Sequence, residues 1–151
     1  MKFQIFMILS HFTETLRKYT PINELFRVAA KDYQIPNTNL VIEKDTMVLL
    51  PIYAIHHDPD IYENPERFDP ERFTEERKLN RHPFAHIPFG DGPRNCIGWR
   101  FGLMQSKLGL IQILLSYKVS PSPRTTIPMI LAPNSQVLSP LNDMWLYLTK
   151  I

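Results

Sequence analysis

The chain holds one cysteine among its 151 residues, so no internal disulfide is available to it. That fits a chain facing the cytosol, where disulfides do not persist. Excess charge is also lacking: 17 Lys and Arg against 15 Asp and Glu leave a net +2, too mild to imply a nucleic-acid partner. No stretch spans a bilayer, since the apolar opening Met1 to Phe12 (MKFQIFMILSHF) falls far short of the ~20 residues required. That opening also lacks the small-residue cleavage site of a secretion signal and runs straight into a helical pattern. There is no internal repeat and no low-complexity segment. Proline, in contrast, is in surplus: 14 residues exceed the ~5% average usage nearly twofold, which argues for long irregular connections over a compact helical bundle. With 44% hydrophobic residues, one ordinary core is within reach.

Periodicity divides the chain into short elements of an α+β kind, mainly helical with small sheets. Residues 3–19 read as a helix that ends at Thr20-Pro21, because the residue before a proline avoids the helical region. Residues 40–43 and 46–54 are rich in β-branched and apolar side chains and read as short strands around a turn at Lys44-Asp45. Residues 56–88 carry prolines at 59, 65, 70, 83 and 88 with scattered charge, the mark of a meander. Residues 98–117 are apolar almost all round (Trp99, Phe101, Leu103, Met104, Leu108, Leu110, Ile111, Leu114), which predicts a long buried helix. Past it, prolines at 121, 123, 128, 133 and 140 leave room for strands at 127–131 and 144–149, a terminal β-hairpin.

The lone thiol lies in Phe89-Gly90-Asp91-Gly92-Pro93-Arg94-Asn95-Cys96-Ile97-Gly98, a glycine-rich loop that opens into the apolar helix. At a helix start, free N–H groups and the positive end of the helix dipole favour a thiolate, which suits a soft metal or a nucleophile. Gly90, Gly92 and Gly98 allow positive φ and let the backbone approach a flat ligand where a Cβ would collide. Pro93 stiffens the turn. Arg94 offers a bidentate guanidinium two residues before the sulfur, and Phe89 is placed to cover it. A buried structural cysteine at a helix cap is the bland alternative. His82 and His86, four apart and followed by Cys96, have zinc-like spacing, but Pro83 and Pro88 work against a regular helix there. A Cys96–His86 nucleophilic pair lacks an oxyanion hole and an orienting acid.

The pattern Phe-x-x-Gly-x-Arg-x-Cys-x-Gly, complete from Phe89 to Gly98, resembles the haem-binding signature of the cytochrome P-450 family, the haem-thiolate monooxygenases. Glu14-Thr15-Leu16-Arg17 resembles the family's Glu-x-x-Arg pair, and Pro70-Glu71-Arg72-Phe73 its Pro-x-Arg-Phe segment. Taken alone, an i, i+3 pair is most often a solvated surface contact worth under ~1 kcal/mol. The resemblance instead implies that Glu14, Arg17 and Arg72 form a buried structural charge network beneath the cysteine loop. The fold it implies is the C-terminal part of the cytochrome P-450 fold over residues 13–151, with residues 1–12 an atypical opening expected from a truncated or mis-started chain. Thr20 stands where many relatives have proline and Gly102 where many have alanine. The phrases ETLRKY, YAIHHDP, FDPERF and GPRNCIGWRFGLMQ look most like insect microsomal members that oxidise xenobiotics.

The resemblance also implies a chemistry. Cys96 would be the axial ligand of haem b (iron protoporphyrin IX), with Phe89, Gly90, Gly92, Arg94 and Gly98 around it and Arg27 as a second propionate contact. Ile22, Asn23, Glu24 and Leu25, together with Ser135, Gln136 and Val137, match segments that line the family's substrate pocket. The implied reaction is the hydroxylation of small apolar substrates by molecular oxygen, with electrons from an NADPH-dependent reductase, at the cytosolic face of the endoplasmic reticulum membrane. Arg100 and Lys107 offer positive charge to such a reductase. The distal helix of the family, with its Gly-x-x-Thr, has no counterpart in these 151 residues. Two expectations follow: a haem-loop part of a membrane-bound monooxygenase, or a non-enzymatic remnant that binds haem weakly or not at all.

Overall fold

A computed structural model describes residues 2–133, 135 and 137–151, with side chains from Ser10 onward. The first helix, α1 (Lys2–Lys18), closes with Arg17 and Lys18 in its last turn, where cations meet the negative end of the dipole. Thr20, fully buried, turns the chain out of the helix with its hydroxyl donating to the Ile22 carbonyl at 3.3 Å.

The strands expected on either side of Lys44-Asp45 are present as β3 (Val41–Ile42) and β4 (Met47–Leu50), but they do not pair with each other. β4 pairs antiparallel with β1 (Leu25–Val28), Leu25 opposite Leu50, and β3 pairs with β2 (Tyr33–Gln34). The reason lies at the turn, where Asp45 takes φ 65° and donates its N–H to the Ala29 carbonyl at 2.8 Å, pulling the incoming strand onto β1. β4 is also shorter than expected. Pro51 brings no N–H to a ladder, and Ile52–His56 coil into the short helix α2.

The meander is built from single turns. A 3₁₀ turn at Pro70–Phe73 is capped by the Asp69 side chain, α3 (Glu75–Leu79) follows, and a second 3₁₀ turn covers Pro83–Ala85. A third, Gly92–Arg94, leads through the cysteine to α4 (Trp99–Ser116). The chain finishes with β5 (Tyr117–Pro121) and β6 (Leu146–Lys150), antiparallel over five positions from Tyr117 opposite Lys150 to Pro121 opposite Leu146. The strand expected over 127–131 is reduced to one bridge, Leu131 with Pro140. β5, read from sequence as the end of the helix and the start of a loop, is what β6 pairs with instead.

α4 stands where the sequence places it, but the expectation of burial is overturned. None of its residues is buried, and Leu115 is 71% and Phe101 62% exposed. An apolar surface is buried only by another surface packed on it, and the described residues bring little to α4 beyond β5 at its end. The buried core lies elsewhere: Ile52, Tyr62, Phe73, Ala85 and Ile87 surround Glu14, Arg17 and His56, under the cysteine loop.

Candidate functional site

The cysteine loop is shaped by its backbone. Gly90 and Gly92 take φ 71° and 74°, which a side chain disfavours. The Gly90 N–H donates to the Ile87 carbonyl at 3.0 Å, the Asn95 N–H to Gly92 at 3.1 Å and the Cys96 N–H to Phe89 at 2.9 Å. Cys96 is thereby tied to Phe89 through the main chain, and its thiol is free and exposed. Cys96 is therefore no part of the core that the described residues form. Ile97, beside it, has no protein cover at all.

The expectation of positive φ fails at Gly98. Its φ is −90°, an ordinary value for any residue, and no atom lies within 4 Å of where a Cβ would stand. Gly92 is equally open on its Cβ side. Gly90 is the crowded one, where a Cβ would sit 3.2 Å from Leu25 Cδ1 and 3.8 Å from Arg27 Nη2.

β1 lies against the loop at this point. Arg27 donates from Nη2 to the Arg94 carbonyl at 3.4 Å, so the Arg27 side chain reaches the main chain of the loop. A soft sulfur donor open to solvent, the Arg27 guanidinium reaching the main chain of the same loop and free space over Gly92 and Gly98 together suit a flat, anionic macrocycle carrying a thiophilic metal.

Below the loop, Glu14 and Arg17 are both 0% exposed and joined by a fork of two bonds, 2.7 and 2.8 Å. Arg17 also donates to the carbonyls of His56 and Pro65, each at 2.7 Å. Glu14 accepts from the Asp69 N–H at 2.9 Å. Arg72, 6% exposed, approaches Glu14 with its Nε 3.6 Å away, beyond hydrogen-bond distance, and donates to the Asn64 carbonyl at 2.9 Å. The three charges expected together are together, with Arg17 the more fully bonded arginine.

The two segments expected to line a pocket also meet. Ile22 bridges to Val137, and the Leu138 N–H donates to the Pro21 carbonyl at 3.1 Å. Ser135 donates to the Val137 carbonyl at 2.5 Å, while Asn134 and Gln136 lie outside the described residues. The Asn23 carbonyl receives the Tyr53 N–H at 2.9 Å, Leu25 is half-buried and Glu24 is exposed. Arg100 lies over the Trp99 ring at 5.2 Å and Lys107 over Phe12 at 5.8 Å, so neither is a cation surrounded only by water. His82 is exposed at a 3₁₀ turn while His86 is largely buried, and no group of three or more potential metal ligands exists among the described residues.

Three residues hold the foot of the loop: Tyr62 and His56, which the sequence does not single out, and His86, which it offers only as a metal ligand or nucleophile's partner. Tyr62 donates its hydroxyl to the Ala85 carbonyl at 2.9 Å, and His56 Nε2 accepts the Ile87 N–H at 3.1 Å. His86 stacks on His56 with ring centres 5.3 Å apart and meets Phe73 edge-on at 4.8 Å. Burial sets their titration: it pushes His56 down to about 4 and His86 to about 3, and raises Tyr62 to about 12.

The family model for cytochrome P450 matches residues 8–147. Among curated proteins, the chain is 48% identical over 139 residues to "Probable cytochrome P450 6a14" of Drosophila melanogaster, a match covering 92% of this chain and 27% of that protein. It is 50% identical over 116 residues to "Probable cytochrome P450 6a13" of the same fly, covering 77% and 24% respectively. It is 46% identical over 138 residues to "Cytochrome P450 6k1" of Blattella germanica, covering 91% and 26%. The chain thus spans about a quarter of the length of these relatives.

Proposed function

The chain belongs to the cytochrome P450 family, and from that premise we propose that it is the haem-thiolate part of a monooxygenase whose iron is held by Cys96. The observation that carries this reading is an exposed thiol on a backbone-pinned loop whose Arg94 carbonyl is reached by the Arg27 side chain. When bound, haem supplies reductive activation of molecular oxygen and oxidation of a C–H bond, with electrons delivered by an NADPH-dependent reductase.

The residues of this chain bind and position. Cys96 gives the thiolate. Arg94 and Arg27 pair with the two propionates, the guanidinium fork matching a carboxylate. Gly90 keeps β1 close to the loop, and Gly92 and Gly98 leave space for the ring face. Phe89, half-buried, limits water near the sulfur. Glu14, Arg17 and Arg72 hold the ground beneath and take no part in the chemistry. Ile22, Asn23, Glu24 and Leu25 with Ser135, Gln136 and Val137 contribute one edge of a pocket for a small apolar substrate.

No helix among the described residues is long and apolar enough to cross a membrane. The endoplasmic reticulum membrane, cytosolic side, is proposed as the site of the longer protein in which this segment works. The 151 residues alone form a part of that enzyme and do not turn over substrate.

The test of the ligand is spectroscopic. In the haem-loaded full-length protein, Cys96→Ser should abolish the thiolate-type band of the reduced carbon-monoxide complex. A variant that keeps that band removes Cys96 from the site.

A further inference from the structure

The cysteine loop is short of rigid elements, and what fixes its start is a pair of side chains. Tyr62 holds the Ala85 carbonyl and His56 Nε2 holds the Ile87 N–H, one on each side of His86. Ile87 passes the constraint on through its own carbonyl, which accepts from Gly90, and Phe89 then accepts from Cys96. His56 is itself anchored: its carbonyl receives Arg17 Nη1 at 2.7 Å, and Arg17 is forked to Glu14. An unbroken path of hydrogen bonds and short chain steps therefore runs from the buried ion pair to the cysteine amide.

We propose that His56 is a positioning residue for Cys96, its neutral ring acting as the acceptor that sets the foot of the cysteine loop. The ring must accept at Nε2, which puts its proton on Nδ1. That nitrogen is buried, and the bond that Nε2 accepts from Ile87 is the one that leads to the cysteine loop. Burial and the charges of Arg17 and His57 oppose protonation of the ring, while a main-chain hydrogen bond to Arg17 favours it. From α1 comes Arg17, whose charge is shared with Glu14; from the meander comes His86, stacked on the ring; from its own chain segment comes His57.

The consequence has a definite sign. With the folded value lowered from 6.5 to about 4, His56 stays an acceptor at neutral pH. The acceptor is lost as pH falls toward 4, when imidazolium forms and the Ile87 N–H is left facing a donor.

The proposal rests on Cys96 being the haem ligand only for its spectroscopic half. The experiment uses the haem-loaded full-length protein as wild type, His56→Gln and His56→Leu. Gln keeps an acceptor oxygen at similar reach and does not titrate; Leu removes the acceptor. Amide hydrogen exchange is followed at Ile87, Gly90 and Cys96 with the β5–β6 amides as an internal reference, together with the pH profile of the thiolate-type band. In His56→Leu, exchange at the three amides should rise roughly tenfold against the reference, and the thiolate-type fraction should fall at pH 7. In His56→Gln, both should return toward wild type, with the loss of the band on the acid side displaced to lower pH. Equal exchange in Leu and wild type overturns the proposal, as does a Gln variant no better than Leu. Should His56→Leu not fold, an unchanged acid limb in His56→Gln overturns it alone. If the wild type shows no thiolate-type band, the ligand assignment fails while the exchange data still judge His56.

Discussion

At the scale of the residue, the two arginines around Glu14 are not equivalent. Arg17 spends its guanidinium on a fork to Glu14 and on the carbonyls of His56 and Pro65, all within 2.8 Å. Arg72 reaches Glu14 only at 3.6 Å, and its Nε has no hydrogen-bond partner among the described residues. A lysine has one charged nitrogen and cannot reproduce a fork. Arg17→Lys should therefore cost roughly 3–5 kcal/mol, the range for breaking a buried pair, and Arg72→Lys about 1–2 kcal/mol. Urea midpoints of the two variants check this; equal losses would mean that the fork adds nothing beyond charge. The sequence allowed Glu14 and Arg17 to be paired, because i and i+3 share a helix face. It could not show Arg17's other acceptors, since a main-chain carbonyl 39 or 48 residues away has no side-chain signature. His56 was illegible for the same reason: its partner is the amide of Ile87.

At the scale of the element, periodicity located α1 and α4 almost to the residue, because both run through several turns of consistent apolar pattern. Strand pairing was less legible. β3 and β4 were seen, yet nothing in their composition says that Asp45 will turn toward Ala29 and send β4 to β1. The glycines of the loop divide along the same line. Gly90→Ala meets both a positive φ and Leu25 Cδ1 at 3.2 Å, and should destabilise by about 1–3 kcal/mol. Gly98→Ala meets neither: φ is −90° and the space is empty. It should leave the urea midpoint unchanged or slightly raised, by under ~1 kcal/mol. Its effect would fall on the ligand: on the proposed reading a methyl group there would intrude on the ring face, and haem retention in the full-length protein should drop. A Gly98→Ala protein that keeps haem as firmly as wild type would show that this glycine does not face the ring.

At the scale of the whole molecule, surface area speaks most directly. A compact monomer of 17.7 kDa exposes about 7,900 Å² by the usual scaling with mass, whereas this chain exposes 11710 Å². Part of the excess is α4, on which Phe101, Met104, Leu108 and Leu115 stand in one stripe at i, i+3, i+7 and i+14, each more than half exposed. A stripe of that size on a lone soluble chain is an association surface. Two measurements on the purified 151-residue chain follow from this. Given haemin, a reductase and NADPH, it should show no substrate turnover. It should also self-associate in a concentration-dependent way by light scattering, and Leu108→Glu with Leu115→Glu should reduce that association, because charges at those positions cannot be buried unpaired. In the full-length protein the same double substitution should lower stability, for there the stripe would be covered. Sustained hydroxylation by the short chain that depends on Cys96 would overturn its reading as a part, and a monodisperse short chain indifferent to both substitutions would show that α4 is content in water.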